Sequence, residues 1–209
     1  MSDVFGLSPD ELEALTRGAT IRSFAKNAVV VNEGDRTDSL YIVLSGKVKV
    51  FVADEEGHEV TLGTQGAGEY FGEMVLDEGP RSASIMTLEP SRFALVSKEA
   101  FTAFLASQPD FMLRMIKKLI HRARALTGNV RSLALLDVYG RVARLLLELA
   151  VEKDGARVIP EKLTQQDIAS RVGASREMVS LILKDLSTGG YITVAGKTIT
   201  INKEPPKHW

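Results

Sequence analysis

The sequence predicts an α+β chain: a jelly-roll-like β-roll, then one long helix, then a small helical domain closed by a β-hairpin. Three observations carry this. Short β-type runs separated by turn residues fill the stretch from Phe24 to Val96. After Pro109 the apolar spacing becomes that of a helix and stays so through Ala134. From Leu163 onward two helical segments flank Gly173, and two β-type runs follow around Gly196.

At the N-terminal end, Ser8-Pro9-Asp10-Glu11 supplies a cap, a proline at the first helical position and acids in the first turn, so a short helix begins near Pro9. The strand candidates are Val29 to Val31, Leu40 to Leu44, Val48 to Val52, Glu59 to Leu62 and Phe93 to Val96. Turn residues at Gly34, Gly46, Gly57 and Gly66-Ala67-Gly68 separate them, a spacing that fits a sandwich or barrel.

In the long helix, Ile116, Ile120, Ala123, Thr127, Val130 and Ala134 recur at coiled-coil spacing. A second row, Met112, Met115, Leu119, Leu126 and Leu133, lies about a quarter-turn away. One row is expected to face its own domain and the other a partner chain; a single wide core-facing stripe is the alternative. Gly128 costs a helix about 1 kcal/mol relative to alanine, which points to a close approach of another backbone or a ligand. A further helix is expected through Val142, Leu145, Leu146 and Leu149, ending near Asp154-Gly155, with a hinge over Leu136 to Gly140.

Thr164 then caps a helix whose third residue is Asp167, with Leu163 and Ile168 at the two positions of a hydrophobic staple. That helix closes at Gly173, and another opens at Ser175. Its Val179, Ile182, Leu183 and Leu186 share one face, while Arg176, Glu177, Ser180, Leu181 and Lys184 share the other. Tyr191 to Val194 and Lys197 to Ile201 flank Ala195-Gly196, read as a two-residue hairpin turn. Helix, tight turn, helix and hairpin make a winged helix-turn-helix. The expected divisions are 1–109, 110–136 and 137–209.

Composition narrows the chemistry. The absence of cysteine removes disulfides, thiol catalysis, iron–sulfur clusters, thiolate-ligated haem and Cys-based zinc sites. His58, His121 and His208 are far apart in sequence, which disfavours a histidine metal site as well. No apolar run approaches the roughly 18 residues of a membrane span, and Met1 to Thr16 has no basic start followed by an apolar stretch, so a cytoplasmic protein is expected. The net charge of −1 hides an asymmetry: residues 1–110 carry 9 basic and 18 acidic residues, residues 111–209 carry 17 and 9. A basic half on an acidic one fits phosphate-backbone binding by one end.

Phe71-Gly72-Glu73-Met74-Val75-Leu76 followed by Pro80-Arg81-Ser82-Ala83 resembles the phosphate-binding cassette of cyclic-nucleotide domains. Leu163 to Ala169 and Gly173-Ala174-Ser175-Arg176-Glu177 closely resemble the DNA-binding motif of the same family, that of the cyclic-AMP receptor protein and the fumarate–nitrate reduction regulators. The resemblance covers nearly the whole chain. It implies a cyclic-nucleotide-binding β-roll, a dimerisation helix and a DNA-binding winged helix, in a homodimer without catalysis. Cyclic AMP as effector, double-stranded DNA and RNA polymerase are the implied partners, with no metal, haem or cluster.

The chemistry of the cassette fits this. A cyclic phosphodiester carries one negative charge and leaves the ribose 2′-hydroxyl as the distinctive sugar handle. Arg81 can fork onto the phosphate, amides around Gly72 and Ser82 can donate to it, and Glu73 can accept from the 2′-hydroxyl. The resemblance also brings Thr127 and Gly128 to the purine, with Leu126-Thr127 where the family commonly has Thr-Ser. In the second region Arg176 can chelate guanine O6 and N7, and Glu177 can accept from cytosine N4. Leu181 stands where the family usually has a second arginine, so the operator is expected to differ. Ser175 and Ser180 join this DNA-facing set, and Thr164, Gln165, Gln166 and Lys197 are candidate phosphate contacts. Two rivals remain: the same regulator answering cyclic di-GMP, 2-oxoglutarate or no ligand, and a small β-barrel metalloenzyme, disfavoured because His58 stands alone in its half.

Overall fold

The computed structural model describes residues 6–77, 79–153, 155–196 and 198–206. The chain forms two compact units, residues 1–54 with 61–123 and residues 55–60 with 124–209. The division falls within the long helix rather than at either of its ends.

The first unit opens with α1 (Pro9–Thr16), where Ser8 and Glu11 form a reciprocal capping box. Two four-stranded sheets follow. Strands β1 (Thr20–Phe24), β3 (Ser39–Ser45), β6 (Tyr70–Phe71) and β8 (Ser91–Ser97) make one, in the order β1-β8-β3-β6. Strands β2 (Val29–Val31), β4 (Lys47–Ala53), β5 (Glu59–Gly66) and β7 (Ser84–Thr87) make the other, in the order β2-β7-β4-β5. Side chains alternate across β3. Tyr41 and Val43 join Val31, Val48, Phe71, Ile85 and Phe93 in one core. Leu40 and Ile42 join Leu15, Tyr70, Val96 and Phe101 in another. Both faces of β3 are therefore buried, which is why it reads as an unbroken apolar run. The second core is closed by α1, α2 (Lys98–Ser107) and the start of α3 (Pro109–Leu135). Strands β1, β6 and β7 and helix α2 lie outside the sequence expectations; Ser97, which caps α2 by accepting from the Ala100 amide, was the available signal.

Helix α3 runs through Gly128 without a break. Both apolar rows are largely exposed: Ile116, Ile120 and Val130 of the first, and Met112, Leu119, Leu126 and Leu133 of the second. Only Met115 of the second row is buried, so that row does not face its own domain as expected. Phe111, Met115 and Lys118 do so instead, on a face at i, i+4, i+7.

In the second unit α4 (Val138–Leu149) begins at Asp137, whose carboxylate caps it by accepting from the Gly140 amide at 2.7 Å. The non-helical break is thus Leu136-Asp137, and Gly140 is buried in the first turn of α4. Helix α4 stops at Leu149 rather than near Gly155, and β9 (Val151–Lys153) and β10 (Ala156–Ile159) form a hairpin. Lys153 pairs with Ala156, and Gly155 has φ 76°. Then come α5 (Gln165–Val172), α6 (Arg176–Thr188), and β11 (Ile192–Ala195) with β12 (Thr198–Ile201). Their sheet order is β11-β12-β10-β9. Ala195 pairs with Thr198, so Ala195 belongs to the strand pair rather than to the turn expected at Ala195-Gly196. Gly196 has φ 62°, the left-handed conformation that a tight hairpin turn demands.

Candidate functional site

Two regions assemble the candidate residues, one in each unit. In the first, Phe71 is anchored between the sheets, stacked on Tyr41 with ring centroids 5.0 Å apart, and so fixes the start of the loop that follows. Gly72 has φ 86°, and a Cβ there would lie 2.5 Å from Arg81 Nη1, so only glycine leaves room for the guanidinium. Glu73 and Met74 lie on a 3₁₀ turn, Glu73–Asp77.

Arg81 is only 6% exposed. Its Nε donates to Thr37 Oγ1 at 2.7 Å, Nη1 to the Gly72 carbonyl at 2.9 Å and Nη2 to the Ser39 carbonyl at 2.6 Å. Nη2 also donates to Thr37. Every one of these partners is neutral. Burial pushes the guanidinium below its ordinary value, opposed by the fields of Tyr41, Glu73, Asp38 and Asp35. A buried cation whose hydrogen-bond partners among the described residues are all neutral can take an anion as a direct partner.

Arg81, Gly72, Glu73, Met74 and Ser82 share one cavity of about 90 Å³, whose other walls include Gln65 and Arg122. The Ser82 hydroxyl donates to the Met74 sulfur at 2.9 Å, and Arg122 of α3 is ion-paired to Glu73. Ligand pockets commonly measure about 300 Å³ or more, so a nucleotide enters only if Met74 and the Arg122 side chain give way. Thr37, Gln65 and Arg122 were missed by sequence reasoning because strand pairing and helix packing, rather than motif spacing, bring them here. Thr127 and Gly128 belong to the second unit. Thr127 is exposed, and the Gly128 carbonyl accepts from Arg144 Nη1 at 3.1 Å. The group that approaches Gly128 is thus an arginine side chain of α4, not the backbone or ligand expected there.

In the second unit Thr164 caps α5 in a capping box with Asp167, and Gly173, at φ 63° and ψ 55°, turns the chain toward α6. The Ser175 side chain caps α6 by accepting from the Met178 amide at 3.2 Å. Val179, Ile182, Leu183 and Leu186 bury one face of α6 against α4, α5 and the sheet. This leaves Arg176, Glu177 and Leu181 exposed and Ser180 half-buried on the outer side. Leu181 is 58% exposed, a large apolar side chain at the middle of that outer face. Gln165 is half-buried and Gln166 exposed in the first turn of α5. Lys197 lies outside the described residues. Arg141, also missed in the sequence, donates to the Val172 and Gly173 carbonyls at 2.8 and 3.2 Å and to the Leu136 carbonyl at 3.0 Å. It thereby ties the helix-turn-helix turn to the break before α4.

Among the described residues no group of acidic or histidine side chains is arranged to hold a metal, and no helix is long and apolar enough to cross a membrane. Residues 21–108 match the cyclic nucleotide-binding domain model, and residues 140–205 match the Crp-like helix-turn-helix domain model. A CRP-like cAMP-activated global transcriptional regulator of Mycobacterium tuberculosis (strain ATCC 25618 / H37Rv) is 35% identical over 94% of this chain and 90% of its own length. The cAMP-activated global transcriptional regulator CRP of Salmonella typhimurium is 34% identical over 87% of this chain and 89% of its own. The c-di-GMP-responsive global regulator CLP of Xanthomonas campestris superposes with a TM-score of 0.78 at 28% identity, over 91% of this chain and 97% of that one. The chain belongs to the Crp/Fnr family, cyclic-nucleotide-responsive DNA-binding transcription regulators rather than enzymes.

Proposed function

We propose that this chain is a cytoplasmic homodimeric regulator whose effector is cyclic AMP, bound and released unchanged, and whose paired winged helices read a two-fold symmetric operator for RNA polymerase. The observation that carries the effector reading is the buried Arg81 guanidinium with neutral partners only. One phosphodiester charge neutralises it. Glu73 accepts from the ribose 2′-hydroxyl with the carboxylate oxygen that does not face Arg122. Because Arg122 is a residue of α3, a ribose that competes for Glu73 gives the ligand a handle on that helix. The handle shifts an equilibrium only if the ligand's affinity differs between two arrangements. Thr127 and Gly128 are assigned to the purine by resemblance.

The dimer reading is supported by the exposed ridge of Ile116, Ile120, Ala123, Thr127 and Val130. The DNA reading is supported by α6, whose first turn presents Arg176 and Glu177; in a dimer two such helices sit about one turn of DNA, roughly 34–36 Å, apart. One buried guanidinium favours a single phosphodiester over the two of cyclic di-GMP. Calorimetry with cyclic AMP, cyclic GMP, cyclic di-GMP and 2-oxoglutarate tests this. Cyclic AMP should bind best, and Arg81→Leu should lower its affinity by roughly one to two decades, the worth of a charge-assisted contact. Tighter binding of another effector, or an unchanged titration for Arg81→Leu, refutes the reading.

A further inference from the structure

The assigned roles leave one polar side chain of the cavity without work. Gln65 stands on β5 and is 4% exposed. Its Oε1 is buried and has no hydrogen-bond partner among the described residues. A buried acceptor left unpaired is disfavoured and calls for an explanation. Gln65 shares the cavity with Gly72, Glu73, Arg81 and Ser82, and the rest of the wall near it is supplied by Val31, Val50, Phe71, Ala83 and Ile85. Apolar side chains of this kind suit the faces of a flat ring, and an amide oxygen among them supplies what a ring edge requires: an acceptor for an N–H.

We infer that Gln65 reads the base of the bound cyclic nucleotide, its carboxamide oxygen accepting from the exocyclic 6-amino group of adenine. This rests on the cyclic-nucleotide reading above. A carboxamide pairs one acceptor with one donor, and adenine presents the complementary pair, the 6-amino donor beside the N7 acceptor. Guanine shows two acceptors, O6 and N7, on that edge, and offers the amide oxygen no donor, so only one half of the carboxamide can be used. Gln65 thus gives the first unit a base-selecting group of its own, on a strand rather than on α3.

The test is a two-by-two titration of the full-length protein. Wild type and Gln65→Leu are each titrated with cyclic AMP and with the 3′,5′-cyclic monophosphate of purine riboside, which lacks only the 6-amino group. Wild type should bind the deaminated nucleotide about five- to tenfold more weakly, the worth of one hydrogen bond. Gln65→Leu should bind the two within twofold of each other. If loss of the amino group costs the same in both proteins, Gln65 does not read it. Should Gln65→Leu fail to fold, Gln65→Met, closer in length, replaces it in the same measurement. An Arg81→Leu arm separates the two levels of the argument. Arg81→Leu should weaken both nucleotides alike and keep the difference between them, which tests the effector reading separately: that result, together with an amino-group cost unchanged by Gln65→Leu, overturns the base assignment and leaves the effector reading standing. If wild type binds neither nucleotide, both are overturned.

Discussion

Gly72→Ala tests the cavity at its tightest point. The backbone there has φ 86°, a conformation that costs an alanine roughly 1–2 kcal/mol. The new methyl would also sit 2.5 Å from Arg81 Nη1 and 3.2 Å from both Arg81 Cζ and the Ser39 carbonyl oxygen. Ordinary contact begins near 3.4 Å, so the guanidinium must retreat by about 1 Å. The retreat breaks its 2.9 Å bond to the Gly72 carbonyl, and a hydrogen bond to a charged group contributes about 1.5–3 kcal/mol. Urea unfolding should therefore show a loss of a few kcal/mol confined to the first unit. Cyclic AMP affinity should drop by one to two decades, because the phosphate partner is displaced. Wild-type stability together with wild-type affinity would mean that Arg81 has room to spare, and the account of the cavity would be wrong.

Three further outcomes are expected. Ile120→Glu places two like charges in the apolar ridge of α3 and should convert a dimer to monomers by analytical ultracentrifugation; a variant that stays dimeric at low micromolar concentration puts the interface on another face. Leu181→Arg should create a preference for guanine of about 1–3 kcal/mol at one position of each half-site, leaving the others unchanged, in binding-site selection from random DNA. Identical selected sites for the two proteins would remove residue 181 from the groove. Arg141→Ala removes a charged donor shared by three carbonyls, and should lower the stability of the second unit by about 2 kcal/mol and weaken DNA binding while cyclic nucleotide titrations stay as they were.

The legible parts of this molecule are those where one local rule decides. Capping boxes at Ser8 and Thr164, the left-handed turn at Gly173 and the apolar face of α6 are local, and the structure has each where the sequence places it. Strand β7 was not legible, because Ser84-Ile85-Met86-Thr87 has no strong pattern and is ordered by pairing with β2 and β4. The hairpin of β9 and β10 was legible and passed over, since Asp-Gly followed by Arg157-Val158-Ile159 is a turn signal before a β-branched run. At the cavity, spacing alone picks out Gly72, Glu73 and Arg81. It does not pick out Thr37, which orients Arg81 across 44 residues of sequence, or Gln65, a polar residue in a strand with nothing local to distinguish it from a solvated one.

The neutral hydrogen-bond partners of Arg81 also bear on what the protein would ignore. Cells hold adenine nucleotides mostly as linear phosphates, which share the base and ribose of the cyclic form but carry two or more negative charges. One guanidinium balances one charge, and the second arginine, Arg122, is already matched by Glu73. A cyclic diester leaves the site electrically neutral, whereas a linear monophosphate leaves a surplus anion to be buried without a counter-charge. On the proposed phosphate role of Arg81, charge number alone would screen the effector from a large background of look-alikes before any contact to the base is made.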